Sequence, residues 1–245
     1  MPTKRVKSQR PSTQRPMDQR EERQAAGGKL RSDRLPSTDF VPRTHAQVAA
    51  KAALDSHHTI FLVGPAGTAK TTLAAAQAVD DMRAGRARKI ILARAAIDAE
   101  EGGIGFMPGT AREKMEIWCR AMIDALGLFY GKALVKTMLD QELIELMPPT
   151  MMRGQSINHA TVIIDEFQNV TAHLAKLLLT RIGDSCRMVL TCDPEQIDLP
   201  PNKVSAVEDY GRFEGAKGVA FFDFGVEDVT RSEACRTILE CYEKR

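Results

Sequence analysis

Nine consecutive residues, Gly64-Pro65-Ala66-Gly67-Thr68-Ala69-Lys70-Thr71-Thr72, combine small side chains with one lysine and three hydroxyls. Small residues let successive backbone N–H groups wrap an anion. In such a loop Lys70 reaches the β and γ phosphates of a nucleotide, and the Thr71 hydroxyl suits Mg2+. The flanks agree: an apolar run, Thr59–Val63, leads in and an Ala-rich stretch from Lys70 leads out, which reads as strand, loop, helix. The general pattern carries glycine before the lysine, and this chain has Ala69. A Cβ there crowds the phosphates or strains a positive φ by about 1–2 kcal/mol. Ala69→Gly is therefore expected to raise nucleotide affinity or turnover. The bland alternative is a Gly-rich strand-to-helix turn that only resembles a phosphate loop.

A second segment, Thr161-Val162-Ile163-Ile164-Asp165-Glu166, places two carboxylates after an apolar run. Ligands collect at the carboxyl ends of strands in an open parallel sheet. There Asp165 can hold the Mg2+ shell through water, and Glu166 can orient and deprotonate an attacking water. Taken alone this is an acidic turn; behind a phosphate loop it reads as the hydrolytic half of a site. A third run, Val189-Leu190-Thr191, is followed by Asp193, Pro194 and Gln196. Its polar residues suit a sensor of the γ-phosphate, while Asp-Pro alone would be a simple turn.

The elements that must position these groups alternate along the chain. Helices are predicted over Ala46–Leu54, Lys70–Ala84, Thr110–Leu126, Lys132–Leu139, Ala172–Ile182 and Glu233–Tyr242. Strands are predicted over Thr59–Val63, Lys89–Ala93, Leu143–Met147, Thr161–Ile164, Met188–Thr191 and Val219–Phe222. Thr110 with Glu113 three residues on suggests a capping box, and the four glycines in Ile97–Gly109 suggest a flexible loop. Alternating strands and helices predict an α/β fold, a sandwich with a parallel central sheet.

Of the 245 residues, the first 34 hold ten Lys or Arg against four Asp or Glu, and the rest carry 24 against 28. Residues 1–38 nearly lack large apolar side chains and are expected to be a disordered basic arm, with the globular domain over 39–245. A basic arm on an acidic body suits a polyanion, or is a solvated leader. Five cysteines at 119, 186, 192, 235 and 241 show no C-x-x-C spacing, which reads as unpaired thiols in a reducing cytoplasm. No apolar run has the length of a secretory core or a membrane helix. The scattered histidines at 45, 57, 58, 159 and 173 predict no structural metal.

Taken in order, GPAGTAKT at 64–71, GIGFMPG at 103–109, MRGQSIN at 152–158, IIDEFQN at 163–169, TCDPEQIDLP at 191–200 and DVTR at 228–231 resemble the motifs of the PhoH family. The resemblance runs from about Val41 to Tyr242. It implies a three-layer sandwich of the RecA-like P-loop NTPase type, related to superfamily 1 helicases, with ATP and Mg2+ as cofactors. It implies that Gly64 to Thr72 hold the phosphates and Mg2+ sits on Thr71 and Asp165. Glu166, Lys70 and Arg231 then carry catalysis, Arg231 reaching a γ-phosphate in its own or a neighbouring subunit. Gln47 corresponds to a glutamine that recognises adenine. Gln168 and Gln196 correspond to glutamines that couple nucleotide state to nucleic acid. Single-stranded RNA is the implied partner, and a homo-oligomer, a hexamer by analogy with ring-forming relatives, the implied assembly. Ala69 and Cys192 replace family glycines, and Ala95 a family proline. An RNA-binding adaptor that uses ATP only as a switch stays open as an alternative, as does a P-loop kinase, against which the DEFQ and CDPEQ segments argue.

Overall fold

The computed structural model describes residues 35–95, 111–152, 154 and 156–243. The predicted loop over 97–109, its Thr110 cap, and the basic residues 1–34 lie outside these, as do Arg153 and Gln155 of the 152–158 motif. In chain order the elements are α1 (His45–Ser56), β1 (Thr59–Val63), α2 (Lys70–Arg83), β2 (Lys89–Arg94), α3 (Ala111–Trp118), α4 (Arg120–Tyr130), α5 (Lys132–Asp140), β3 (Ile144–Leu146), β4 (Ala160–Asp165), α6 (Ala172–Leu179), β5 (Arg187–Cys192), β6 (Val219–Asp223) and α7 (Glu233–Glu243).

The six strands form one sheet in the order β3-β2-β4-β5-β1-β6, every neighbouring pair parallel. β1 and β4 are wholly buried, which is why both read as unbroken apolar runs. Successive side chains face opposite sides of the sheet. Phe61, Val162, Ile164, Met188 and Leu190 point into one core, shared with Leu174, Ala175 and Leu178 of α6. There Phe61 stacks on Phe221 with ring centroids 4.3 Å apart and lies 5.0 Å from the Tyr210 ring. The alternate residues face α2, which packs in turn against α4, and α4 against α5. The result is three layers, helix, parallel sheet, helix, in the RecA-like arrangement.

Several boundaries differ from the sequence reading. The helix expected to run unbroken to Leu126 is two helices, α3 and α4, with Cys119 between them. Cys119 is fully buried against β2, its thiol 3.8 Å from the Leu92 carbonyl oxygen, and the i→i−4 bonds from Cys119 N to Met115 O and from Ile123 N to Cys119 O still span the junction. α6 stops at Leu179. Among the described residues, 3-10 segments at Pro149–Met152, Phe167–Asn169, Ala206–Phe213 and Val226–Asp228 fall where the sequence reading assigned no helix. Leu35, which composition placed in the arm, is buried.

The amino edge of the sheet carries a buried ionic cluster. Asp81 of α2 accepts from Arg187 Nε at 2.8 Å, Arg86 Nε at 2.7 Å, Thr161 Oγ1 at 2.8 Å and Gln77 Nε2 at 3.1 Å. Arg187 also donates to the carbonyls of Leu54 and His57. The cluster thus ties α1, α2, β4 and β5. Burial alone would raise the Asp81 pKa; the Arg187 charge and the hydrogen bonds outweigh it and hold the carboxyl below the usual aspartate range. A depressed pKa contributes stability above the unfolded value of about 3.9, lost as pH falls through the folded value. Arg187→Ala should cost about 3 kcal/mol in urea unfolding at pH 7, the low end for a broken buried pair because Arg86 remains. It should also flatten the acid limb of the stability profile. A cost under about 1 kcal/mol would show that the cluster adds little.

Candidate active site

The phosphate-loop segment leaves β1 at the carboxyl edge of the sheet and becomes α2 at Lys70. Two glycines are required by their neighbours. Gly64 (φ 137°) donates to the Cys192 carbonyl at 3.0 Å, and a Cβ on it would meet Phe224 O at 2.3 Å. Gly67 (φ 88°) would bring a Cβ within 3.2 to 3.4 Å of Val229, Arg231 and Cys235. Its carbonyl accepts from Thr230 N at 3.0 Å. The 228–231 segment therefore braces the loop from outside. Thr68 is buried and closes the turn on itself, its hydroxyl donating to Pro65 O at 3.0 Å. α2 begins without a side-chain cap. Its first-turn N–H groups, at Lys70, Thr71 and Thr72, have no partner inside the helix and meet no other protein acceptor among the described residues. They are free to receive an anion.

Lys70 Nζ donates to Gly64 O at 2.6 Å and Pro65 O at 2.8 Å. Burial pulls its pKa below the ordinary lysine value, and the nearby Asp193 and Asp165 carboxylates offset part of that pull. β5 lies between β1 and β4, so its end sits between the loop and the acidic pair. Thr191 donates its hydroxyl to Asp165 Oδ1, fixing the buried carboxylate. Cys192 is buried, and burial pushes its thiol up to about 11, so it stays a neutral filler beside the loop.

Glu166 follows Asp165 in a left-handed conformation, φ 56° and ψ 44°. Its Oε2 accepts from Gln168 Nε2 at 2.6 Å. Gln168 is wholly buried and reaches in three directions: to Glu166, to Gln196 O at 3.1 Å, and through Oε1 to the N–H of Asp193 at 3.1 Å. Gln196 returns its amide to Asp193. The two glutamines singled out in the sequence thus form one network with the second and third motifs.

A cavity of about 610 Å3 gathers Ala66, Gly67, Ala69, Lys70, Thr71, Thr72, Asp165, Glu166, Thr191, Asp193, Gln196 and Arg231. Arg94, which sequence reasoning passed over, lines it too and donates to Glu166 Oε1 at 3.3 Å. The only signal for it was a charged residue closing a buried strand. A second cavity of about 440 Å3, lined by Phe40, Val41, Gln47, Leu128 and Phe129, shares Ala69, Thr72, Leu128 and Thr230 with the first. Gln47 is buried with both ends of its amide committed to protein. Oε1 accepts from Arg43 N at 2.8 Å, and Nε2 donates to Thr68 O at 3.2 Å. In this conformation it holds the phosphate loop to the preceding segment.

Ala69 takes φ 68° and ψ 21°, the left-handed region. The strain there is about 1–2 kcal/mol for an L-residue. Glycine removes it but adds about 0.4–1 kcal/mol of unfolded-chain entropy. Ala69→Gly should therefore raise the unfolding free energy by up to about 1.5 kcal/mol, read from urea midpoints. A loss of stability would mean the alanine methyl packs well enough to offset its backbone.

The family profile described as PhoH-like protein matches residues 39–243. The PhoH-like protein of Bacillus subtilis (strain 168) is 36% identical over 204 residues, 83% of this chain and 64% of that relative. Protein PhoH of Escherichia coli (strain K12) is 34% identical over 213 residues, 86% of this chain and 60% of that relative. The chain thus spans under two thirds of the length of these relatives. The large terminase of a thermophilic bacteriophage is similar in fold, with a TM-score of 0.51 at 14% identity, over 82% of this chain and 50% of that one. With the phosphate loop, the acidic pair and the 228–231 brace all inside the matched span, the chain belongs to the PhoH-like family of P-loop NTPases.

Proposed function

We propose that this protein binds Mg-ATP and hydrolyses it, acting on or with RNA as a helicase-like factor. The observation that carries the reading is the convergence of Lys70, Thr71, Asp165 and Glu166 on one cavity, delivered by β1 and β4 with β5 between. Lys70 and the first-turn N–H groups of α2 bind the phosphates. The Thr71 hydroxyl and the Asp165 carboxylate are hard oxygen donors of the kind Mg2+ prefers. When bound, Mg2+ neutralises charge on the β and γ oxygens. Glu166 takes the proton of the attacking water, with Gln168 fixing its carboxylate. The cavity beside Gln47, where Phe40, Val41, Leu128 and Phe129 meet polar Asp39, Arg43 and Thr72, has room for the base. Arg231 reaches the same cavity from the 228–231 brace, and its exposure leaves it free to act on the transferring phosphate of its own site or, in a homo-oligomer, of a neighbour's.

ATP turnover and Mg-ATP thermal shift on the purified protein test this directly. Lys70→Ala should abolish the nucleotide-dependent shift, because it removes the cation on the phosphates. Glu166→Gln should keep the shift and lose turnover by at least about a hundredfold. Turnover by Glu166→Gln near the parent rate would remove Glu166 as the base. A parent protein that binds ATP yet shows no turnover would favour the switch-only adaptor, the reading that strained Ala69 and the basic residues 1–34 support.

The RNA part of the reading rests on the basic residues 1–34 and on the Gln168–Gln196 network behind Glu166. Single-stranded RNA should stimulate turnover. Deleting residues 1–34 should weaken RNA binding and flatten its salt dependence, since each neutralised phosphate contributes a slope of roughly −0.7 in log K against log salt. Equal affinity and slope in the truncated chain would make the segment a leader without a nucleic-acid role.

A further inference from the structure

Arg94 is the last residue of β2, and its register partner on β4 is Asp165. This brings its guanidinium into the cavity that holds Lys70 and Thr71. Its hydrogen bonds there are long: Nη2 to Glu166 Oε1 at 3.3 Å and Nη1 to Trp118 O at 3.4 Å. A guanidinium has five N–H donors in a rigid fork matched to phosphate, so most of its capacity remains unused by these two contacts. Glu166 is held otherwise on its two oxygens. Oε2 has the short 2.6 Å bond from buried Gln168, and among the described residues Oε1 has only the longer one from Arg94.

The two attachments differ in what can displace them. The Arg94–Glu166 pair is about one-third exposed on both sides. Such pairs are worth only about 0–1 kcal/mol, because water screens them. A terminal phosphate carries more charge than one carboxylate and offers two oxygens to the fork. When both compete for one guanidinium, the phosphate wins, and Glu166 is left on Gln168 alone. We infer that Arg94 is a γ-phosphate-sensing residue. It contacts Glu166 until a nucleoside triphosphate enters, then transfers to the γ-phosphate and frees one carboxylate oxygen of Glu166 to receive the water. A diphosphate lacks the group that draws Arg94 away, so the pair with Glu166 persists. The Trp118 carbonyl, at the junction of α3 and α4, lies at the other end of the same guanidinium and registers the same movement.

The inference rests on the proposed nucleotide site, and the test separates the two. Dissociation constants for a non-hydrolysable ATP analogue with an imido β–γ bridge, and for ADP, both with Mg2+, are measured by calorimetry on the full chain, on Arg94→Ala and on Arg94→Lys. Arg94→Ala should weaken the triphosphate analogue about tenfold or more and leave ADP within about twofold. Arg94→Lys, which keeps the charge without the fork, should recover part of that loss and guards against a folding defect in the alanine variant. An unchanged triphosphate-to-diphosphate ratio in both variants, whether neither ligand is affected or both weaken together, would overturn the role of Arg94 and leave the site itself standing. A parent protein that binds neither ligand would overturn both.

Discussion

Placing a lysine ammonium in a partly desolvated loop beside Asp165 and Asp193 is the constraint on which the rest of this structure depends. Burial works against the charge, and the carboxylates and the two loop carbonyls under Nζ work for it. No local stretch of chain could supply those groups together. Lys70 lies far before Asp165 in the chain and further still from Asp193. The parallel sheet solves this by ending β1, β5 and β4 at one edge, with β5 in the middle. Its Thr191 then fixes Asp165, and the turn beyond it places Asp193 facing Lys70.

Much of this arrangement was legible in the sequence because each part has a local signature. β1 and β4 read as buried strands since both faces are covered, and the loop and acidic pair carry motifs tied to strand ends. An alanine in place of glycine before the lysine marks position 69 as strained, and its φ is 68°. What the sequence did not show is pairwise geometry. Arg94 and Glu166 are 72 positions apart, and only the register of β2 on β4 brings them together. The distortion at Cys119, whose thiol lies against β2, has no helix-stop residue to announce it. Gln47 is a further case. The resemblance assigns it to adenine; the structure adds hydrogen bonds to Arg43 N and Thr68 O, which depend on where the loop lies in space.

Strain and support occupy opposite edges of the sheet. At the carboxyl edge two non-glycine residues of the site, Ala69 and Glu166, are both left-handed. Each costs of order 1–2 kcal/mol, and such outliers persist only when their surroundings over-determine them. Around Ala69 those surroundings are the Gln47 amide on Thr68 O, the Thr230 N–H on Gly67 O and the Lys70 bonds within the loop. Around Glu166 they are Gln168 on its carboxylate, and Asn169 N donating to the Glu166 carbonyl at 2.9 Å. Ser205 Oγ, 2.6 Å from Gln168 O, extends that support to the Ala206–Phe213 turn and its aromatic core. At the amino edge the Asp81 cluster clamps the same α2 that begins at Lys70, together with β4 and β5. The cluster thus anchors the far end of the helix whose first-turn N–H groups face the cavity, while the bonds around Ala69 itself hold its conformation. The remote salt bridges and the phosphate loop thus share α2, one at each end.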